Sequence, residues 1–333
     1  MPQMKVIRVE EFGEPNVLEY VDAERPSPGE GEVLIEVKSV GVNYADTMRR
    51  RNQYVEQQEL SFTPGSEIAG TVAEVGEGVE EVNVGDRVVT LLGTGGYAEY
   101  VVAPARNLIP IPDGMDFDEA AAIPLQGLTA YHVLETSGRL EVGESVLVHA
   151  AAGGVGSLSV QMAKLMGASP VIATASTQEK LDFARDLGAD VLINYAEEDW
   201  TEQVREATDG NGADVILEMV GGDFPQKNLR CLNVFGRMVV FGAASGDRGS
   251  LVPAELMKKN HSVVGFYLPN IMVRRELFGP SMEKVLGWIS SGDLKLTIGA
   301  RYPLEKAHEA HEALEGRETT GKIVLNPQKE VAG

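Results

Sequence analysis

The sequence predicts an α/β protein, a doubly wound parallel sheet covered by helices, preceded by a β-rich region of its own. Three observations carry this. Residues 1 to about 115 read as short strands cut by glycine-rich turns. Beyond about residue 115, strands alternate with helical stretches, the pattern of parallel strands joined by crossovers. Within that part, a buried strand runs straight into a glycine-rich turn and a helix. At 333 residues the chain exceeds what one core ordinarily serves, so two domains are expected.

In the first part, Lys5–Val9 alternates as a strand should. Glu32–Val37, Gly70–Gly76, Arg87–Thr90 and Tyr97–Val102 follow, with turns such as Val84-Gly85-Asp86 between them. At Asp116-Phe117-Asp118-Glu119, ahead of Ala120-Ala121-Ala122, acids stand at the positive end of a helix start. Thr129–Leu134 continues as helix. Strands are then expected at Ser145–His149, Val171–Thr174, Val191–Ile193, Val215–Glu218, Met238–Phe241 and Ser262–Gly265. Helices are expected at Gly156–Met166 and Gln178–Leu187. Two late helices, around Ser281–Ser290 and Leu304–Leu314, precede a closing strand, Lys322–Leu325.

Composition narrows the function classes. Hydrophobic residues at 43% and charged residues at 24% are globular values. No apolar run approaches the roughly 18 to 20 residues of a membrane helix. The segment Met1–Lys5 opens directly into a strand pattern without an apolar leader, so a cytoplasmic location is expected. A net charge of -21 repels phosphate backbones and disfavours nucleic-acid binding. A single cysteine, Cys231, excludes an internal disulfide and reads as packing.

The most informative segment is Val146–Gly156. Close approach of backbone to a pyrophosphate needs residues without bulk, and a helix N-terminus offers unpaired N–H groups and a positive dipole end. Ala151 stands where the first glycine of G-x-G-x-x-G would be, so Ala152, Gly153, Gly154, Val155 and Gly156 form the expected dinucleotide loop. An NAD site usually has an acid about 20 residues on, at the end of the second strand. Here Thr174-Ala175-Ser176-Thr177 holds that place, and Lys180 follows. Hydroxyls and a lysine suit a 2′-phosphate, so NADPH is the expected cofactor; Lys180 as a solvated helix residue is the alternative.

Other motifs are set aside. Gly316–Lys322 begins like a P-loop but is followed by Ile323 and has its strand and helix in reversed order. His132 and His149 read as satisfied core residues. His308 and His311 are i,i+3 neighbours that read as a solvated face.

Further segments carry a family resemblance: Gly41-Val42-Asn43-Tyr44-Ala45-Asp46, Pro64–Gly70, Val84–Val88, Leu128–Tyr131, Leu187–Asp190 with Ile193-Asn194-Tyr195, and Thr320-Gly321-Lys322. With the glycine loop, they make the whole chain resemble the medium-chain dehydrogenase/reductase superfamily, nearest its quinone oxidoreductase (ζ-crystallin-like) branch. The resemblance implies a GroES-like catalytic domain at 1–122, a Rossmann NADPH-binding domain at 123–266 and a C-terminal segment, 267–333, returning to the catalytic domain. It implies cofactor contacts at Ser176, Lys180 and Tyr195 around the 2′-phosphate, and at Phe241, Gly242, Phe266, Tyr267, Leu268, Asn43 and Thr129. Zinc-dependent relatives carry a cysteine where this chain has Asn43 and a histidine where it has Ser66, so neither usual zinc site can form and no metal is expected. Relatives commonly dimerise through the edge strand, here Ser262–Phe266.

Without a Lewis acid nothing stabilises an alkoxide, whereas a conjugated acceptor collects charge on an oxygen that hydrogen-bond donors can stabilise. The leading expectation is an NADPH:quinone reductase acting on a small-molecule acceptor. An alkenal or enone reductase, an enoyl-thioester reductase and an NADPH-binding sensor with little turnover stand as alternatives. Asn43, Tyr54 and Thr129 are the candidate catalytic residues. The resemblance places the loop of Tyr54, after a Met48–Asn52 turn, beside the nicotinamide. Its hydroxyl either donates to the acceptor or the ring anchors its own loop.

Overall fold

The computed structural model describes residues 2–327. The chain divides into two units, Met1–Leu125 with Thr297–Gly333, and Gln126–Leu296.

The first unit is built on one long strand, Glu32–Val42. It pairs antiparallel with Glu67–Val75, with Tyr100–Pro104 and with the closing strand Lys322–Asn326. A seven-stranded sheet results, extended on one side by Ile298–Pro303 and on the other by Arg87–Leu91 and Ile109–Pro110. Gln3–Arg8 and Glu19–Glu24 form a separate antiparallel pair. Inward positions of these strands, among them Val33, Ile35, Val37, Ile68, Val72, Ile323 and Leu325, make the core. The return of the chain is thus locked by register: Ile323, Val324 and Leu325 face Val42, Gly41 and Val40. The capped start at Asp116 forms as expected, with Asp116 accepting from the Glu119 N–H at 2.7 Å, but its helix stops at Ala120. Tyr44–Arg50, expected as a motif and then a turn, is a helix.

The second unit holds a six-stranded sheet whose strands all run parallel. Numbered in chain order they are Val146–Val148, Val171–Ala175, Val191–Asn194, Ala213–Glu218, Leu232–Val240 and Ser262–Gly265, and their spatial order is 3-2-1-4-5-6. That is the doubly wound dinucleotide-binding order. Leu147, Ile172, Ile193, Ile216 and Met238 pack with Trp200 in one core.

The boundary of this unit differs from the expected 266. Residues 267–296 pack with the parallel sheet's helices rather than returning to the first unit. Side chains explain this: His132 bonds Ser281 at 2.9 Å, and Gln161 both donates to the Lys295 carbonyl and accepts from its N–H. Among the described residues, no helix is long and apolar enough to cross a membrane.

Candidate active site

Because the six strands are parallel, their C-terminal ends lie on one edge, and at the switch between strands 1 and 4 the connections leave in opposite directions, opening a crevice. The predicted cofactor residues of this unit gather there. Ala152 to Gly156 follow the first strand. Thr174 and Ser176 end the second, and Lys180 lies in the first turn of helix Gln178–Asp186. Tyr195 follows the third strand, Phe241 and Gly242 the fifth, and Phe266, Tyr267 and Leu268 the sixth. Thr129 is buried on helix Pro124–Leu134.

The loop shows why its glycines are needed. Gly153 precedes helix Gly154–Leu165 with no side-chain cap, so the helix presents backbone donors and its positive dipole end. A Cβ on Gly156 would lie 2.3 Å from the Ala150 carbonyl oxygen, and one on Gly154 would lie 2.0 Å from Gln126 Oε1. The left-handed turn falls on Ala150, at φ 48°, while Ala151 is buried. The loop therefore turns one residue before the missing glycine.

Beneath this edge runs a buried polar chain. Glu218 accepts from the N–H groups of Val220 and Gly221, both at 2.7 Å, and from Asn228 Nδ2. Asn228 Oδ1 accepts from His149 Nε2 at 2.8 Å, which leaves His149 Nδ1 to accept from the Thr174 hydroxyl at 2.8 Å. Burial pushes the His149 pKa down, so the ring is a neutral, single tautomer. His149 is a satisfied core residue, as expected. Thr174, expected to touch cofactor, turns its hydroxyl into this chain, and its carbonyl accepts from the Ala151 N–H at 3.0 Å. It holds the loop in place.

The first unit holds a charged network. Asn43 precedes helix Tyr44–Arg50, and its N–H donates to Asp46 at 2.9 Å. Its amide oxygen accepts from Lys322 Nζ at 2.9 Å, and its amide nitrogen donates to Glu67 at 2.8 Å and to the Gly41 carbonyl at 3.2 Å. Lys322 also ion-pairs with Glu67, both buried. Gly41 makes the room, since a Cβ there would lie 2.4 Å from Glu67 Oε1 and 2.7 Å from Lys322 Cε. Arg49 donates to Ser66 Oγ at 2.6 Å, and Ser66 donates onward to Asp46 at 3.3 Å. The Arg49 guanidinium lies 4.3 Å from the Tyr54 ring centre.

Three outcomes bear on the expected site. The Asn43 amide is engaged on both ends within its own unit, by Lys322 and by Glu67. Tyr54 is half-buried with one ring face on Arg49. The expectation that His311 sits on a solvated face is overturned, because it is fully buried. It accepts from Arg50 at 3.1 Å through Nδ1, so Nε2 donates to the Tyr97 hydroxyl at 2.9 Å. Burial and the neighbouring Arg50 and Arg51 lower its pKa to about 3. Arg49, Lys322, Asn228 and Glu218 were not foreseen as site residues. Lys322 had one signal in the sequence, a lysine heading an otherwise apolar strand. Among the described residues, no group of three or more His, Cys, Asp or Glu could hold a metal ion.

Comparison with known proteins agrees with this layout. The model of the alcohol dehydrogenase GroES-like domain matches residues 29–113, and that of the zinc-binding dehydrogenase matches residues 154–286. A quinone oxidoreductase of Homo sapiens is 36% identical over 97% of this chain and 97% of its own length. A 2-haloacrylate reductase of a Burkholderia species is 36% identical over 95% of this chain and 97% of its own. The crystal structure of the Escherichia coli quinone oxidoreductase complexed with NADPH superposes with a TM-score of 0.92 at 35% identity, covering 97% of this chain and 100% of that one.

Proposed function

This chain belongs to the medium-chain dehydrogenase/reductase superfamily, in its quinone oxidoreductase branch, and from that membership we propose that it is an NADPH-dependent, zinc-independent reductase of quinones. The carrying observation is the edge of the parallel sheet. There a glycine loop too tight for side chains meets an uncapped helix N-terminus, and the second strand is followed by Ser176 with no carboxylate. When bound, NADPH supplies the hydride. The loop of Gly153 to Gly156 would hold its pyrophosphate through backbone N–H groups, and Ser176 and Lys180 its 2′-phosphate. The buried His149 chain keeps strands one, two and four in register beneath it.

Zinc independence has a positive cause. The two positions that bear metal ligands in zinc-dependent relatives, Asn43 and Ser66, are already bonded to cations, Lys322 at 2.9 Å and Arg49 at 2.6 Å. Both side chains are thereby committed within the protein, Asn43 to Lys322 and Glu67 and Ser66 to Arg49 and Asp46, which leaves neither free to turn to a metal. Tyr54 is the donor proposed for the acceptor carbonyl, its ring held by Arg49. The same reading includes a cytoplasmic homodimer built on edge strand Ser262–Gly265, checked by a sedimentation mass near twice 35.8 kDa.

A conjugated carbonyl or carboxyl compound is the second acceptor class, favoured by the 2-haloacrylate reductase relative. A panel of 1,4-quinones, 2-alkenals and enoyl thioesters assayed with NADPH tests both readings. Quinone turnover that survives exhaustive chelation is expected. Turnover lost with stoichiometric zinc sinks zinc independence, and cofactor binding without turnover on any class sinks the enzyme. In the same panel Tyr54→Phe should slow enone reduction about 100-fold, the usual cost of one such donor; an unchanged rate leaves the ring as an anchor.

A further inference from the structure

The buried chain of the nucleotide unit has a direction, and one residue sets it. Glu218 closes strand 4 and is fully buried. Among the described residues its side chain has three partners, the Val220 and Gly221 N–H groups and Asn228 Nδ2, and all three are donors. Asn228, on helix Phe224–Cys231, must therefore turn its amide oxygen to His149. His149 must carry its proton on Nε2. Its bare Nδ1 can then only accept, so the Thr174 hydroxyl donates to it. The Trp200 and Phe224 rings stand edge to face against the imidazole, at 5.3 and 5.2 Å between centroids, and offer it no competing polar partner.

The two ends of this chain grip different halves of the sheet edge. At one end Thr174 lies near the close of strand 2, and its carbonyl accepts from the Ala151 N–H of the glycine loop at 3.0 Å. At the other end Glu218 pins the loop after strand 4, where Gly221 and Gly222 take left-handed φ values of 79° and 61°. That loop is laced to the loop after strand 5. The Gly222 N–H donates to the Asp247 carbonyl, the Ala244 N–H to that of Met219 and the Ser245 N–H to that of Val220, each at 2.8 Å. A Cβ on Gly221 would lie 2.1 Å from the Asp247 carbonyl oxygen. A dinucleotide on a doubly wound sheet lies across the switch point, one nucleotide on each half. The loops of strands 1 and 2 then serve the adenine half of NADPH, and those of strands 4 and 5 the nicotinamide half. We propose that Glu218 is a positioning residue for NADPH. Through Asn228, His149 and Thr174 its carboxylate holds the loops of both cofactor halves in one arrangement, so that filling one half stiffens the other. This rests on the reading that NADPH binds along this edge with its adenine half beside the glycine loop.

Glu218→Gln tests the direction of the chain. The new amide keeps an oxygen for Val220 and Gly221 but turns a donor on Asn228. The Asn228 amide must then reverse, the His149 proton must move to Nδ1, and the Thr174 hydroxyl must accept where it had donated. Nitrogen NMR of His149 in the full-length protein should show the Nε2–H tautomer before the substitution and the Nδ1–H tautomer after it. Affinity for adenosine 2′,5′-bisphosphate, a ligand confined to the adenine half, should fall about tenfold in calorimetric titration, and affinity for NADPH by at least as much. An unchanged affinity for the bisphosphate overturns the proposal, and so does an unchanged tautomer. If Glu218→Gln does not fold, hydrogen exchange in the unaltered protein decides. Saturating bisphosphate should slow exchange of the Val220 and Gly221 amides about tenfold more than that of the Phe266 amide, which bonds the Val240 carbonyl outside the chain. Equal slowing overturns the proposal. Either of these failures, with NADPH still bound by the unaltered protein, removes only the role of Glu218, whereas no NADPH binding at all removes the cofactor reading itself.

Discussion

The two units solve the same problem, holding polar groups inside a core, in opposite ways. In the nucleotide unit the buried chain Thr174–His149–Asn228–Glu218 has one carboxylate, and backbone N–H groups and an amide satisfy it. In the proposed function, ligand recognition there falls to glycine backbone and a helix end. In the other unit the buried groups are ionisable side chains, Arg49, Arg50, Lys322, Asp46 and Glu67, and the ion pairs of Arg50 with Glu315 and of Lys322 with Glu67 join segments far apart in sequence. Backbone recognition serves a ligand whose phosphates vary little. A charged side-chain network can be retuned one residue at a time.

The contrast can be broken most sharply at Lys322. Lys322→Met leaves Glu67 buried without its cation and should cost about 3–5 kcal/mol of stability, measured by denaturant unfolding. Adding Glu67→Gln should recover much of the loss. A cost under 1 kcal/mol for Lys322→Met alone would show that the charged network matters no more than the neutral one.

Next in size is the pH response of His311. Its folded pKa, about 3, lies below the ordinary value of 6.5, so the unfolded chain binds more protons between the two. The stability it contributes is complete above 6.5 and falls as pH drops toward 3, by about 1.4 kcal/mol per unit. Unfolding free energies at pH 7 and pH 5 should therefore diverge by about 2 kcal/mol more in the parent than in His311→Gln, which keeps one acceptor and one donor. Parallel profiles would remove His311 from the acid response.

In the nucleotide unit the corresponding cut is smaller. Asn228→Ala leaves His149 Nε2 without its acceptor while Glu218 keeps its backbone donors, and about 1.5 kcal/mol is expected. A loss as large as that of Lys322→Met would erase the distinction between the networks. The smallest effect is at Lys180, which is only partly buried. Lys180→Ala should narrow the preference for NADPH over NADH by about 1 kcal/mol, the lower end for a charge-assisted contact in reach of water. Dissociation constants for both cofactors check this, and equal values in the unaltered protein would sink the 2′-phosphate assignment.

Local chemistry in the sequence determined much of this protein. Val146–Gly156 names a strand, a tight turn and a helix start because sterics and the helix dipole act within ten or so residues. Strand periodicity near Glu32, Val171 and Ser262 likewise announces elements whose faces are set by alternation. The absence of an acid after the second strand and of metal ligands at Asn43 and Ser66 is written in residue identity alone. Tertiary structure decided what depends on meetings between distant segments. The pairings of Lys322 with Glu67, Arg50 with Glu315 and His311 with Tyr97 cross more than two hundred residues. No local signal separates a histidine on a polar helix face from one buried beside an arginine, which is why His311 read as solvated. The same holds for residues 267–296, whose place in the nucleotide unit rests on His132 and Gln161. It holds also for Arg49: in sequence it is one of three consecutive arginines, and only packing carries its guanidinium to Ser66 and the Tyr54 ring.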